Sequence, residues 1–471
     1  MRCFILAILI SSLSLVGSAQ TLNQKIGKAF KELENDPNLK NGIVSLAVID
    51  PKTGEIVFAK NEKIGLAPAS TLKAITAATA YSILGSSFTY DTDLSYTGEI
   101  DENGTLHGDI ILKGSGDPTL GSDRYKQSNP DVLLQRWTAA IKSKGIKKIA
   151  GRIIGDDLLF NGQQAPGGWT WMDLGNYYGA GVSSLNWREN TFNVVLSSGA
   201  KVGDPVKFLR TEPDVSYLQI LNEVKTGKPG SGDQVYAYSA PYSSVIHLRG
   251  TYAIDLNKKI NVSLPNGAQD LVFSLRQSLE EQDVSVDNEA VTAHLLSHSG
   301  TQLPMQASLL DRYTSPTLSQ ITYWFHRKSI NLYGEALLKA VAIKENQDPA
   351  TDEISKWEEK YWEGKLGIQP GELRIKDGSG LSPETRVTTL AMTKILNYAN
   401  TQPWFASFQE SLPINNGMKM KSGTIGGVLA YAGYHTSSMG KPLVFSLIIN
   451  NYTGSAPSMR QKMFKMLNSL K

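Results

Sequence analysis

The stretch PASTLKAITAATAYSILG, starting at Pro68, sets a lysine among alanines, threonines and aliphatic residues. Its pattern predicts a helix that Gly85 ends and that Ser70 is able to cap. Residues i and i+3 share a helix face, so Ser70 and Lys73 are neighbours. Small apolar surroundings bury the lysine, and burial pushes an amine toward its neutral form. A neutral amine can take the proton of a serine hydroxyl, which is a poor nucleophile until a base does so. The amino end of the helix also favours negative charge growing on Ser70 Oγ. The chain has 471 residues, 41% of them hydrophobic, enough to bury a sizeable core around such a helix. Taken alone, S-x-x-K also fits a capping serine followed by a surface lysine.

Two later stretches decide between these readings. HRKSINLYGEALL holds Ser329-Ile330-Asn331, an S-x-N, and MKMKSGTIGG holds Lys421-Ser422-Gly423-Thr424, a K-S-G-T ahead of a predicted strand. S-x-x-K, S-x-N and K-[ST]-G in this order are the active-site elements of serine β-lactamases and penicillin-binding proteins. The chain most resembles the class C low-molecular-mass penicillin-binding proteins, the D-alanyl-D-alanine carboxypeptidase/endopeptidase family. Lys73 and Ser329 lie 256 positions apart (329 − 73), far more than a minimal catalytic domain needs, and that family carries extra domains at this place. LKGSGDPTL from Leu112, NYYGAGVSSLNWREN from Asn176, SPTLSQI from Ser315 and DGSGLS from Asp377 add to the resemblance. It covers nearly the whole chain after the first 19 residues and is weakest over residues 195–260. Ser422 departs from the family's usual threonine but keeps the hydroxyl.

The resemblance implies an α/β, multi-domain fold. A β-lactamase/transpeptidase-like catalytic domain, an antiparallel sheet flanked by helices, would comprise residues 20–85 and 307–471. Residues 86–187 and 264–306 would form one inserted strand-rich domain and residues 188–263 another. It also implies roles. Ser70 would carry the acyl group and Lys73 would be its base. Ser329 would relay a proton to the leaving group, helped by Lys421. Asn331 would orient Lys73 and hold a substrate amide. Lys421, Ser422, Gly423 and Thr424 would bind the substrate carboxylate, and the backbone N–H groups of Ser70 and Thr424 would form the oxyanion hole. Asp156 would face a positively charged peptide side chain, with Asp157 a near-equal candidate, and DGSGLS would floor the pocket. No cofactor is implied. The expected partners are peptidoglycan peptides and β-lactam antibiotics.

MRCFILAILISSLSLVGSAQ has a positive start, an apolar stretch and a small-x-small ending, the pattern of a signal peptide cleaved after Ala19. A retained membrane anchor is the other reading of these features. A periplasmic or secreted location follows from cleavage. Cys3 is the only cysteine, so disulfides and cysteine metal sites are excluded, and Gln20 stands where a lipoprotein would have cysteine. A formal charge of +3 with interspersed signs gives no case for nucleic acid. His294 and His298 in HLLSH lack the glutamate of H-E-x-x-H, which argues against a metal pair. GSGDPTLG reads as a turn, and Trp169 and Trp171 as packing residues. The closing helix sets Met459, Met463, Met466, Leu467 and Leu470 on one face. Packing on a sheet suits so few positive charges better than weak association with a membrane surface.

Three function classes fit these features. The first is a peptidase on D-Ala-D-Ala stems or their cross-links. The second is a β-lactamase or esterase on the same scaffold, for which no separate deacylating glutamate is recognisable. The third is a non-catalytic peptidoglycan-binding protein, against which the intact set of four polar groups argues.

Overall fold

Two nine-residue strands, Val428–Thr436 and Pro442–Asn450, are almost wholly buried, so both faces of the sheet they form must be covered. The computed structural model describes residues 21–160, 163–301, 303 and 306–471; the expected signal peptide and its cleavage site at Ala19 lie outside the described residues. The sheet is six-stranded and antiparallel, in the order Ile56–Lys60, Ile43–Ile49, Pro442–Asn450, Val428–Thr436, Met418–Ile425, Ile414–Asn415. Because side chains alternate along a strand, Leu443, Phe445, Leu447 and Ile449 face one side and Val444 and Ile448 the other.

The first face meets helices Leu22–Glu34 and Ala456–Leu467. Met459, Met463, Met466, Leu467 and Leu470 all sit in that core, so the closing helix spends its apolar face on the sheet. The second face carries helices Lys73–Leu84, Leu318–Lys328, Asn331–Lys344 and Thr389–Asn400. Every residue from Lys73 to Tyr81 is buried, and Ala74, Ala77, Ala78 and Ala80 allow neighbours to approach from all sides. Among the described residues no helix is long and apolar enough to cross a membrane.

Between residues 91 and 314 the chain builds further sheets. A five-stranded one runs Val291–Thr292, Ile153–Asp156, Ile110–Gly114, Asp91–Tyr96, Ser308–Thr314. Beside it lies a four-stranded one of Ser285–Val286, Lys148–Ile149, Thr105–His107 and Glu99–Ile100. Helices Pro130–Ser143 and Gly267–Glu280 close a core around Trp137, Trp187, Leu271 and Leu275. Residues 191–264 hold a separate core, from Phe192 to Leu264, between a three-stranded and a four-stranded sheet.

Several expectations need correction. A border at 306/307 sets Ser308–Thr314 with the catalytic part, yet this strand pairs with Asp91–Tyr96 in the inserted sheet. Ser70 does not cap with its side chain: it lies in a 3₁₀ turn, Ala69–Leu72, and the α-helix starts at Lys73. The stretch SPTLSQITYWFHRKSINLYGEALLKAVAI, residues 315–343, carries a helical pattern throughout, yet it is broken at Ser329 and Ile330. Trp169 is buried as expected, but Trp171 is 57% exposed.

Met463 is fully buried under the sheet. We expect Met463→Ala to lower the unfolding free energy by about 2–5 kcal/mol, the range for truncating a buried methionine, read from the urea midpoint at an unchanged slope. An unchanged midpoint would mean that this helix does not cover the sheet.

Candidate active site

Ala69 has a φ of 46°, left-handed backbone that side chains rarely adopt. The bend it makes carries Ser70 to the edge of strand Met418–Ile425. There the alpha position of Gly423 lies so close that an added Cβ would stand 2.6 Å from the Pro68 carbonyl oxygen and 2.9 Å from Ser70 N. One turn on, Lys73 Nζ is fully buried and lies 3.0 Å from Ser70 Oγ, 2.6 Å from Asn331 Oδ1 and 2.7 Å from the Ser379 carbonyl oxygen. Burial pulls the Lys73 amine down to about 7, against the opposing pull of Asp377 and Glu335. A neutral amine has two N–H bonds and one lone pair. Asn331 Oδ1 and the Ser379 carbonyl can only accept, so they take both N–H bonds and the lone pair is left for the Ser70 hydroxyl.

Ser329 and Asn331 stand where helix Leu318–Lys328 hands over to helix Asn331–Lys344. Ser329 is left-handed, at φ 55° and ψ 41°, and this kink lets both side chains face the same cleft. Lys421, on strand Met418–Ile425, donates to Ser329 Oγ at 3.0 Å and to the Ser422 carbonyl at 2.8 Å. Its amine is held well below the usual lysine range, first by burial and then by Lys73. Asn331 Nδ2 donates to the backbone carbonyl of Tyr178, a residue of the insert, at 2.7 Å. Six of the expected residues, Ser70, Lys73, Ser329, Asn331, Lys421 and Gly423, are thereby brought together. Ser422 and Thr424 lie on the same strand, half-buried and exposed respectively.

The D-Ala-D-Ala carboxypeptidase 3 (S13) family matches residues 26–470 of this chain. The chain belongs to that family. A D-alanyl-D-alanine carboxypeptidase of Actinomadura sp. (strain R39) is 25% identical over 482 aligned positions, spanning 94% of this chain and 86% of that protein. DacB of Haemophilus influenzae, also named a D-alanyl-D-alanine carboxypeptidase, is 25% identical over 427, spanning 85% and 83%. The crystal structure of penicillin-binding protein 4 (DacB) from H. influenzae superposes with a TM-score of 0.78 at 23% identity, covering 94% of this chain and 98% of that one. A structure of the same protein complexed with a β-lactam gives 0.73 at 22% identity, covering 95% and 98%. The fold is thus the β-lactamase/transpeptidase-like α/β class with inserted strand-rich parts.

Behind Ser70, Lys73, Ser329 and Lys421 lies a layer built on the DGSGLS turn together with Glu335 and His326, which stand outside the S-x-x-K, S-x-N and K-S-G-T motifs. Asp377 accepts from Trp169 Nε1 (2.9 Å), Ser379 Oγ (3.0 Å) and the N–H groups of Gly380 (3.0 Å) and Ser382 (2.9 Å). Glu335 receives the Gly378 N–H at 3.0 Å, and burial, then Asp377, raises its carboxyl to about 8. Together they fix the turn whose Ser379 carbonyl holds Lys73. His326 bridges Ser411 Oγ (2.7 Å) and the Lys73 carbonyl (3.2 Å), and burial and Lys421 push its ring down to about 3, so it stays uncharged. The signal for Glu335 was its place four residues after Asn331, on the same helix face. The Tyr178 carbonyl had none, because a backbone atom leaves no mark on residue type.

Asp156 and Asp157 are not joined to this cluster by any hydrogen bond or ion pair found among the described residues. Asp156 ends strand Ile153–Asp156, receives the Leu158 N–H at 3.3 Å and pairs with Lys113 at 4.0 Å. Asp157 is buried, accepts the His294 N–H at 2.9 Å, and is raised to about 6, chiefly by burial.

A methyl group at position 423 would push on backbone that cannot swing aside. Gly423→Ala is expected to slow acylation of Ser70 by roughly 10²-fold, the scale of one misplaced oxyanion donor. Stopped-flow acylation by a chromogenic β-lactam, beside a melting curve that stays near wild type, checks this.

Proposed function

We propose that this chain is a serine-type D-Ala-D-Ala carboxypeptidase/endopeptidase that acts on peptidoglycan stem peptides and is acylated by β-lactams at Ser70. The observation that carries the reading is Lys73 Nζ, fully buried, 3.0 Å from Ser70 Oγ and pulled down to about 7, so that a large share of it is neutral near pH 7 and able to take the Ser70 proton. The Ser70 proton passes to Lys73 as Oγ attacks the carbonyl carbon of the penultimate D-alanine. The N–H groups of Ser70 and Thr424 stabilise the oxyanion. The C–N bond breaks as the leaving amine gains a proton through Ser329, backed by Lys421. Water then attacks the ester, and Ser70 regains its proton. Asn331 holds Lys73 with its oxygen and has one N–H left for a substrate carbonyl, the other being bound to Tyr178. Lys421, Ser422, Gly423 and Thr424 receive the terminal carboxylate. The H. influenzae relative has been solved complexed with a β-lactam, which supports the reading that this site receives β-lactams.

The same proposal divides the chain into a catalytic domain, residues 20–85 and about 315–471, and two nested inserts. Separate apolar cores for residues 94–187 with 268–286 and for 192–264 support this division. Cleavage near Ala19 would leave the protein outside the cytoplasmic membrane, which N-terminal sequencing of the secreted form tests.

Labelled penicillin is expected to add once per chain, on the peptide containing Ser70, with slow release. An adduct elsewhere overturns the assignment, and rapid release turns it toward a β-lactamase. The base must be neutral to act, so the acylation rate should rise with pH through about 7 and level off above it. Lys73→Arg, which keeps the charge and cannot lose it, should reduce acylation by at least about 10²-fold and remove that limb.

Asp156 is the proposed contact for the free amine of the stem's diamino acid. Its one ion-pair partner among the described residues, Lys113, is distant and exposed, so a substrate ammonium can replace it. Asp156→Asn should lower kcat/KM for peptides with a free side-chain amine, by roughly 10-fold or more for a lost charged hydrogen bond, and spare N-acylated analogues. Equal losses on both would make Asp156 structural.

A further inference from the structure

The segment that delivers the Tyr178 carbonyl to Asn331 also carries large side chains out into solvent. Trp171 is 57% exposed, Met172 53% and Tyr177 59%. Their backbone is nonetheless locked. Thr170 and Asp173 form a reciprocal cap on the short helix Trp171–Leu174. Asn176 Nδ2 donates to the Met172 carbonyl at 2.6 Å, and Asn176 Oδ1 receives the Ala237 N–H at 3.1 Å. The neighbouring strand, Asp233–Tyr238, turns Val235 and Ala237 into the core of the insert and Tyr236 and Tyr238 outward. The Trp171 ring lies 6.2 Å from that of Tyr238 at an interplanar angle of 33°, and Tyr177 stands edge-on to Tyr178 at 5.3 Å. Across the strand pair, Tyr236 is opposite Arg249 and Tyr238 opposite His247, which border the rings with hydrogen-bonding groups. A rigid aromatic surface with a polar edge therefore runs from the insert to the rim of the catalytic cleft.

We propose that Trp171, Tyr177, Tyr236 and Tyr238 form a platform for the sugar rings of a glycan strand. One face of a pyranose presents a patch of C–H groups, apolar and weakly positive, which complements the negative face of an aromatic ring, while its equatorial hydroxyls reach the polar edge. The proposal rests on the hydrolase reading. In that substrate the stem peptide is joined to a sugar, and roughly four residues separate the sugar from the scissile carbonyl, about 14 Å when extended. A peptide anchored at Ser70 and leaving past Asn331 therefore brings its sugar onto the surface just beyond the rim. Three hydrogen bonds, through Lys73 and Asn331, link Ser70 Oγ to the Tyr178 carbonyl, so the platform begins next to the peptide's exit.

The test uses the whole protein and a peptide-free tetrasaccharide of alternating N-acetylglucosamine and N-acetylmuramic acid, titrated calorimetrically into wild type, Trp171→Ala and Tyr236→Ala. In parallel, KM and kcat for D-alanine release are measured on a free pentapeptide and on the same pentapeptide carried by a disaccharide. Wild type should bind the tetrasaccharide and show the lower KM for the sugar-linked substrate. Each variant should raise that KM by roughly 3–10-fold, the scale of one lost aromatic contact, at unchanged kcat. Free-pentapeptide kinetics and acylation by penicillin should stay as in wild type. Absence of tetrasaccharide binding, or equal KM rises on both substrates, overturns the platform. So does a dimer in sedimentation that Trp171→Ala dissolves without any effect of sugar, since the patch would then be a contact between copies. If neither peptide is cleaved, the hydrolase reading fails, and the titration still decides whether sugars bind.

Discussion

A buried amine whose hydrogen-bond partners are a hydroxyl, an amide oxygen and a backbone carbonyl is the constraint on which this site depends. None of the three neutralises an ammonium as a carboxylate would, and the two nearest acids, Asp377 and Glu335, act on it only through space. The fall of Lys73 to about 7 is worth about 5 kcal/mol in favour of the neutral form over its state in water. That bias holds only while water is kept out, which explains a helix of small residues buried all round. It is chemically useful only while the two acceptors stay in place, because they aim the lone pair.

Each acceptor is therefore secured from elsewhere in the chain. The Ser379 carbonyl belongs to a turn tied by Asp377 and Glu335, and Glu335 projects from the helix that Asn331 begins. A Cβ at Gly380 would lie 2.0 Å from the Ala69 carbonyl, so the same turn also packs under the bend that presents Ser70. Trp169, from the insert, donates into Asp377. The central sheet supplies the remaining fixed point: strand Met418–Ile425 carries Lys421 and brings Gly423 against Ser70. Segments more than 250 positions apart thus converge because each closes one side of a single dry pocket.

What the sequence made legible was chemistry carried by residue type. Ser70, Lys73, Ser329, Asn331 and Lys421 could be named because each supplies a functional group in a spaced motif. The apolar runs GGVLAYAGYHT and KPLVFSLIINNY mark neighbouring strands near the end, and the period of the last helix marks its methionine face. The failures have physical causes. Period cannot see the break at Ser329, since a left-handed serine costs only a local strain that the site sustains. Composition gave no sign that Ser308–Thr314 returns to pair with Asp91–Tyr96, because strand pairing at long range is settled by register. Trp169 and Trp171 looked alike, being two residues apart, and only the short helix that starts between them sends one inward and the other out.

The Tyr178 carbonyl shows why the insert cannot be treated as an appendage. The Asn331 amide has one oxygen, given to Lys73, and two N–H bonds, one given to Tyr178. An amide pinned at both ends cannot flip, so the oxygen stays toward Lys73 and the lysine lone pair stays toward Ser70. Losing the Tyr178 bond would free the amide to present N–H to a group that also carries N–H, which removes the acceptor that fixes the base. The segment that provides this bond is held by Asn176 to Ala237, deep in residues 191–264. Folding of the inserted sheets is therefore coupled to the protonation geometry of Lys73, through one backbone atom whose residue type is chemically irrelevant to that contact.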